Sequence, residues 1–122
     1  MNEPPYEFDP CRRHLVLKAI QEVCSHRGWT LHALHVRAFH VHAVVTGEAT
    51  PERMLNDFKS YASRQLNAAG VDAPDVKRWT RHGSTRYVWK EAHLAAVIEY
   101  VLEKQGEPME RYPESSPTKP RP

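Results

Sequence analysis

Cysteine is scarce in this chain. Cys11 and Cys24 are the only two among 122 residues, and they do not form a CxxC pair. That argues against a disulfide framework and against a zinc ribbon, and it fits a reduced, cytoplasmic setting. Long apolar runs are missing as well. Nothing approaches the roughly 18–20 residues of a membrane span, so no membrane partner is expected. The opening residues, MNEPPYEFDP, are acidic and proline-rich, which is not the pattern of a secretory signal. Charge of one sign is lacking too. Seventeen Lys and Arg face fifteen Asp and Glu, for a formal charge of +2, so net charge is only weak evidence for an anionic partner. There is no internal repeat. A hydrophobic content of 40% suffices for the modest core of one domain.

What is present begins with helix punctuation. Asp9 can cap a first helix with Pro10 in its first turn. Leu15, Val16, Ala19, Ile20 and Val23 recur at helical spacing, and Gly28 can end it. TLHALHVRA and FHVHAVV read as two strands joined near Ala38, the second closed by Thr46-Gly47. Thr50-Pro51 opens a second helix with Met54, Leu55, Phe58, Tyr61, Ala62 and Leu66 as its apolar stripe, stopped by Gly70. After the loop VDAPD, VKRWT and TRYVWK read as a hairpin around His82-Gly83-Ser84. A third helix is expected from about Glu91 to Lys104, before Gly106. The order predicts an α+β fold, an antiparallel sheet with helices on one face. It matches part of a ferredoxin-like arrangement, with no segment that reads as that fold's first strand, PPYEFDP being a poor one. Residues 1–10 read as an N-terminal extension, and residues 106–122, rich in Pro, Ser and charge, as a disordered tail.

Candidate chemistry centres on His40-Val41-His42. In a strand, residues two apart share a face, so His40 and His42 make a two-point grip for one metal ion. With 8 histidines in the chain, chance is the competing explanation. Tyr100 falls off the core stripe of the third helix, formed by Leu94, Val97, Ile98, Val101 and Leu102. It is either a surface tyrosine or one placed for reaction. A phenol can attack phosphorus if a metal withdraws charge from the phosphate. Lys77, Arg78, Arg81, His82, Arg86 and Lys90 cluster with Trp79, Tyr87 and Trp89, a mix that suits a phosphate backbone plus stacked bases. A solvated hairpin with its aromatics in the core explains it equally well. Lys59 and Arg64 are a further basic pair, on the second helix, for phosphates or for solvent. His35 reads as structural and Tyr61 as core.

These blocks in order resemble a known family, the single-tyrosine HUH transposases of the insertion-sequence-200-like type, including the REP-associated tyrosine transposases. LKAIQEVCSHRGWTLHALHVRAFHVHAVV is similar to that family's helix, strand and His-hydrophobic-His strand. PERMLNDFKSYASRQLN is similar to its next helix, and RWTRHGSTRYVWKEAHLAAVIEYVLEKQGEP to its hairpin and tyrosine helix. The resemblance runs from about Arg12 to Pro108 and implies a transposase-like domain over residues 11–105. It implies Mg²⁺ or Mn²⁺ on His40 and His42, with Gln105 as the third ligand, and Tyr100 as nucleophile. The implied reaction is cleavage and rejoining of single-stranded hairpin DNA through a 5′-phosphotyrosyl link, in DNA transposition. It also implies a possible homodimer. Gln105 lies five residues beyond Tyr100, about 140° around a regular helix against about 40° for a four-residue step. Glu103 is the alternative ligand. Arg78, Arg81 and Arg86 are the preferred DNA contacts, followed by Lys59 and Arg64. With no segment that reads as the first strand, the chain reads as a truncated frame, a decayed element or a dimer that supplies strand edges in trans. Two further functional readings are a truncated, catalytically inactive hairpin-DNA-binding remnant and a small metal-binding domain with no nucleic-acid role.

Overall fold

The computed structural model describes residues 5–79 and 91–114. Helix α1 (Pro10–Arg27) begins where the Asp9 side chain accepts the Arg12 backbone N–H and Pro10 supplies a first-turn position that needs no donor. Helix α2 (Pro51–Ala69) repeats the device, with the Thr50 hydroxyl accepting from Arg53 N–H at 3.2 Å. Both end at a glycine with positive φ, Gly28 at 74° and Gly70 at 67°, a conformation that costs a residue with a Cβ. Strands β1 (Thr30–Val36) and β2 (Val41–Thr46) form an antiparallel hairpin between these helices. Helix α3 (Glu91–Glu103) and a short strand β3 (Glu110–Tyr112) follow. β3 pairs antiparallel with the other edge of β1, giving the order β2-β1-β3.

The fold is α+β with an antiparallel sheet, as the element order implies, and strand alternation builds two cores from it. Leu34 and Val36 of β1 face α1 and α2, meeting Val16, Ile20, Val23, Met54, Phe58, Ala62 and Leu66. Ala33 of β1 and Val44 of β2 turn the other way, where Val101 and Leu102 of α3 cover them with Leu94, Val97 and Ile98 alongside. The register slips by one residue between Leu31 and Ala33, a bulge that bends the strand and deepens its twist. Trp29 lies so close to Gly47 that a Cβ there would stand 2.3 Å from its indole ring. Among the described residues, no helix is long and apolar enough to cross a membrane.

Three sequence expectations change. The tail was read as disordered from residue 106, yet Glu110–Tyr112 is a strand. The free edge of β1 needs a hydrogen-bonding partner, and a three-residue strand is too short to show periodicity. Residues 115–122 lie outside the description. Val76–Trp79 is not a strand. Its side chains anchor it instead: Trp79 donates to Ser63 Oγ at 2.8 Å and packs 5.7 Å from the Phe8 ring. Residues 80–90, including the rest of the expected hairpin, lie outside the description. The segment ahead of α1 is more than an extension, because Phe8 is buried in the main core and its N–H bonds to Ala38 C=O at 2.8 Å.

The same segment is held by a buried ionic cluster around Asp72. Arg78 reaches Asp72 at 3.0 Å with both side chains only 6% exposed. Arg12 reaches it at 3.0 Å and also donates to Val71 C=O, and Tyr6 donates its hydroxyl to Asp72 at 2.6 Å. Burial alone would raise the Asp72 carboxyl. Hydrogen bonds from Tyr6, Arg78 and Arg12, with the charge of Arg12, outweigh it and hold the group below its ordinary range. A carboxyl with a depressed folded pKa stabilises the fold fully above its unfolded value. That stabilisation is lost as pH falls from about 3.8 through the folded value. Asp72→Ala is expected to cost about 3–5 kcal/mol in urea unfolding at neutral pH, because it strands the Arg78 guanidinium. It should also flatten the acid limb of stability; an unchanged acid limb would mean that Asp72 is not the controlling group. Gly47→Ala should cost about 1–3 kcal/mol by the same measurement, since the indole must shift to admit the methyl group.

Candidate active site

The β1–β2 hairpin positions the two histidines. Its last rung is Arg37 N–H to His40 C=O at 2.8 Å, and His42 pairs with His35 across the ladder. Directly opposed residues share a face, so His42 lies on the side of the sheet that α3 covers. The His40 and His42 rings stand 6.1 Å apart between centroids, tilted by 40°. His40 is exposed and sits just before the start of β2; His42 is half-buried within it. Burial pushes the His42 pKa down, and the neighbouring His40, His35 and Arg37 push it further. A depressed pKa keeps the imidazole neutral near neutral pH, with a nitrogen lone pair available to a metal.

His35 anchors this face. It is fully buried. Its Nε2 accepts the Met109 N–H at 3.0 Å, so its proton sits on Nδ1, which donates to Val101 C=O at 2.9 Å. Both nitrogens are used, so His35 is structural, as expected, and cannot serve as a ligand. Burial lowers its pKa first of all. The Val101 carbonyl and Glu103 oppose the shift, while Arg37 and Arg111 add to it.

α3 brings Tyr100 to the same side through this anchor, since Tyr100 immediately precedes Val101. Its ring is 56% exposed. Among the described residues, no hydrogen bond or ring contact links Tyr100 to either histidine. Glu103, the alternative ligand, is engaged by Arg111 at 3.3 Å. Gln105 lies beyond the end of α3 and is half-buried. Two residues on, the Glu107 C=O accepts from Arg37 at 3.0 Å. Arg37 N–H also closes the β1–β2 bend onto His40 C=O, so Arg37 ties Glu107 to that bend. Among the described residues, no group of three His, Cys, Asp or Glu gathers. The two histidine rings, 6.1 Å apart between centroids, supply at most two of the donors a metal site needs.

The basic candidates separate from this face. Arg78 is turned inward: its side chain is 6% exposed, with Asp72 at 3.0 Å and Asn67 at 2.9 Å on its guanidinium. The sequence places it beside aromatics but cannot show a carboxylate six residues back that folds onto it. Lys59 and Arg64 sit on α2, against the opposite face of the sheet from the histidines. Arg64 stacks over Tyr61 at 4.9 Å, and Tyr61 packs against the core as expected. Arg81 and Arg86 lie outside the described residues. Sequence reasoning missed Arg37, whose clamp is seventy residues long-range, and Met109, whose contribution is a backbone N–H that no residue type reveals.

Comparison with protein-family models, with curated proteins and with solved structures finds no match in any of the three.

His35→Phe should destabilise the fold by about 2–4 kcal/mol in urea unfolding, leaving the Val101 carbonyl and Met109 N–H buried without partners. The pH dependence has a definite sign. The folded pKa of His35 lies below its ordinary value of 6.5, so its stabilisation is complete above that value. It is lost as pH falls from there through the folded value, because the unfolded chain takes up a proton that the native ring refuses. His42 contributes with the same sign. Unfolding measured between about pH 8 and 5 should show a shallower loss in His35→Phe than in the wild type, and an identical loss would exclude His35 as a source.

Proposed function

We propose that this chain is a transposase-like DNA strand transferase of the single-tyrosine HUH type, acting on single-stranded hairpin DNA. The observation that carries this reading is the pairing of the His40 and His42 rings, 6.1 Å apart, on the face covered by the helix that holds Tyr100. His35 supports it by locking that helix to the histidine strand through Val101 C=O.

Tyr100 is the nucleophile. Its Oη forms a bond to the scissile phosphorus, the bond from phosphorus to the 3′ oxygen breaks, and the phenol proton ends on the departing 3′-OH. The product is a 5′-phosphotyrosyl ester, which conserves the phosphodiester linkage for rejoining without a nucleotide cofactor. The exposure of Tyr100 leaves its ring open to a strand laid over the site. His40 and His42 would hold the divalent ion, which supplies the Lewis acidity that withdraws charge from the phosphate. Imidazole ligands favour Mn²⁺ over Mg²⁺ there. The half-burial of His42 keeps its ring unprotonated for that task. Gln105 is the third ligand of this reading, Glu103 being engaged with Arg111.

The test is a covalent adduct. Wild-type protein incubated with Mn²⁺ and labelled single-stranded hairpin DNA is expected to give a protein–DNA band on a denaturing gel, and Tyr100→Phe none. His40→Ala with His42→Ala should cut the yield by about a hundredfold or more, the consequence of losing several kcal/mol of charge stabilisation. The double variant should also lose Mn²⁺ binding by calorimetry. An adduct that survives Tyr100→Phe rejects that residue as nucleophile. Hairpin binding without any wild-type adduct identifies a catalytically inactive hairpin-binding remnant instead.

A further inference from the structure

Large hydrophobic side chains are exposed at only four of the described positions: Phe39 at 52%, Tyr100 at 56%, Met109 at 37% and Tyr112 at 42%. Two of them flank the His35 anchor and one neighbours His40 in sequence. Phe39 immediately precedes His40. Tyr100 precedes Val101, whose carbonyl His35 holds, and the Met109 N–H holds the other nitrogen of His35. Tyr112 pairs with Leu34 of β1, on the sheet face toward α1.

Phe39 is the one whose exposure has no counterpart in the fold's own needs. By strand alternation it would share the core face of Val41 and Val45, both of which pack against the main cluster. It falls instead in the bend between β1 and β2, where a polar residue would serve equally well at lower cost in exposed apolar surface. The bend is held from both sides. Arg37 N–H closes it to His40 C=O, and Phe8 N–H bonds to Ala38 C=O. The phenyl ring therefore stands on an anchored backbone, one residue before His40 in the chain.

We propose that Phe39 is a stacking platform for an unpaired nucleobase, adjoining the phosphate bound at His40 and His42. This rests on the nucleic-acid reading above and names the part of the substrate the hairpin bend receives. An aromatic face accepts any base, so the contact is tolerant of sequence. It selects for a single strand, because a duplex keeps its base faces covered by stacking. Arg37, through its own bond to Glu107 C=O, keeps the following turn against the same bend.

The experiment measures binding of the full chain, in Mn²⁺, to two fluorescent oligomers of equal length: oligothymidylate, and an abasic strand with the same sugar-phosphate backbone. Wild type should bind oligothymidylate more tightly than the abasic strand. Phe39→Ala should weaken oligothymidylate binding by about tenfold, the scale of one lost base–aromatic stack, and leave abasic binding unchanged. Phe39→Trp should restore it. The ring is exposed, so the alanine variant should melt with the wild type, and circular dichroism checks this. If Phe39→Ala binds both strands like the wild type, or weakens both equally, Phe39 is not a stacking platform while the phosphate-binding reading stands. If wild type binds neither strand, the nucleic-acid reading falls and the proposal with it.

Discussion

A histidine with no access to water must find protein partners for both ring nitrogens, and the way His35 does so organises the whole α3 side of the molecule. Its Nδ1 donates to Val101 C=O near the end of α3, and its Nε2 accepts the Met109 N–H just ahead of β3. One side chain in the central strand thereby fixes the helix that carries Tyr100 and the segment that returns to pair with β1. The arrangement has a single tautomer and no room for a proton on Nε2. Burial, with Arg37 and Arg111 adding to it, disfavours the imidazolium. Polar groups buried this completely specify geometry strongly, because any displacement leaves several of them unpaired at once.

The sheet separates two kinds of chemistry. On the side of α1 and α2, charge is turned inward and neutralised, with Asp72 gathering Arg12, Arg78 and Tyr6 into one cluster. That cluster ties the N-terminal segment, α1 and the loop after α2 together, and its charges are not available to a ligand. On the side of α3, His35 and Glu103 are engaged and three other groups are more open. His40 is exposed, His42 half-buried and Tyr100 largely in solvent. The edge of β2 that carries the histidines has β1 on one side only among the described residues. Under the proposed chemistry this asymmetry is useful: one face supplies rigidity, the other supplies side chains with unfilled valences beside an open strand.

Much of the scaffold was legible from residue types. Asp9-Pro10 and Thr50-Pro51 open helices, and Gly28 and Gly70 close them, because caps depend on a short side chain and a left-handed residue within a few positions. The face of His42 was legible for a related reason, since alternation in β2 sets it, while His40 falls just outside the strand that the sequence pattern assigns it to. The failures are equally physical. Arg78 reads as a free cation until the chain folds Asp72 onto it. Glu110–Tyr112 reads as a tail until an unpaired edge of β1 recruits it. Phe39 and His40 read as part of the second strand, which begins only at Val41, after a bend held by bonds from Arg37 to His40 and from Phe8 to Ala38.

What the amino-acid sequence determined by itself is the set of local choices: where helices start and stop, which strand carries the histidines, and which faces are apolar. Each follows from steric and hydrogen-bonding preferences acting over a few residues. Only the tertiary structure decided which charges are paired, that His35 is an anchor, and that Glu103 is engaged by Arg111 while Glu107 is tied to Arg37. Some of those outcomes depend on partners 66 to 70 residues apart, as His35 with Val101 and Arg37 with Glu107; others, as Arg78 with Asp72, on the chain folding back over a few residues. Burial and pairing are properties of the packed whole, so no local pattern encodes them.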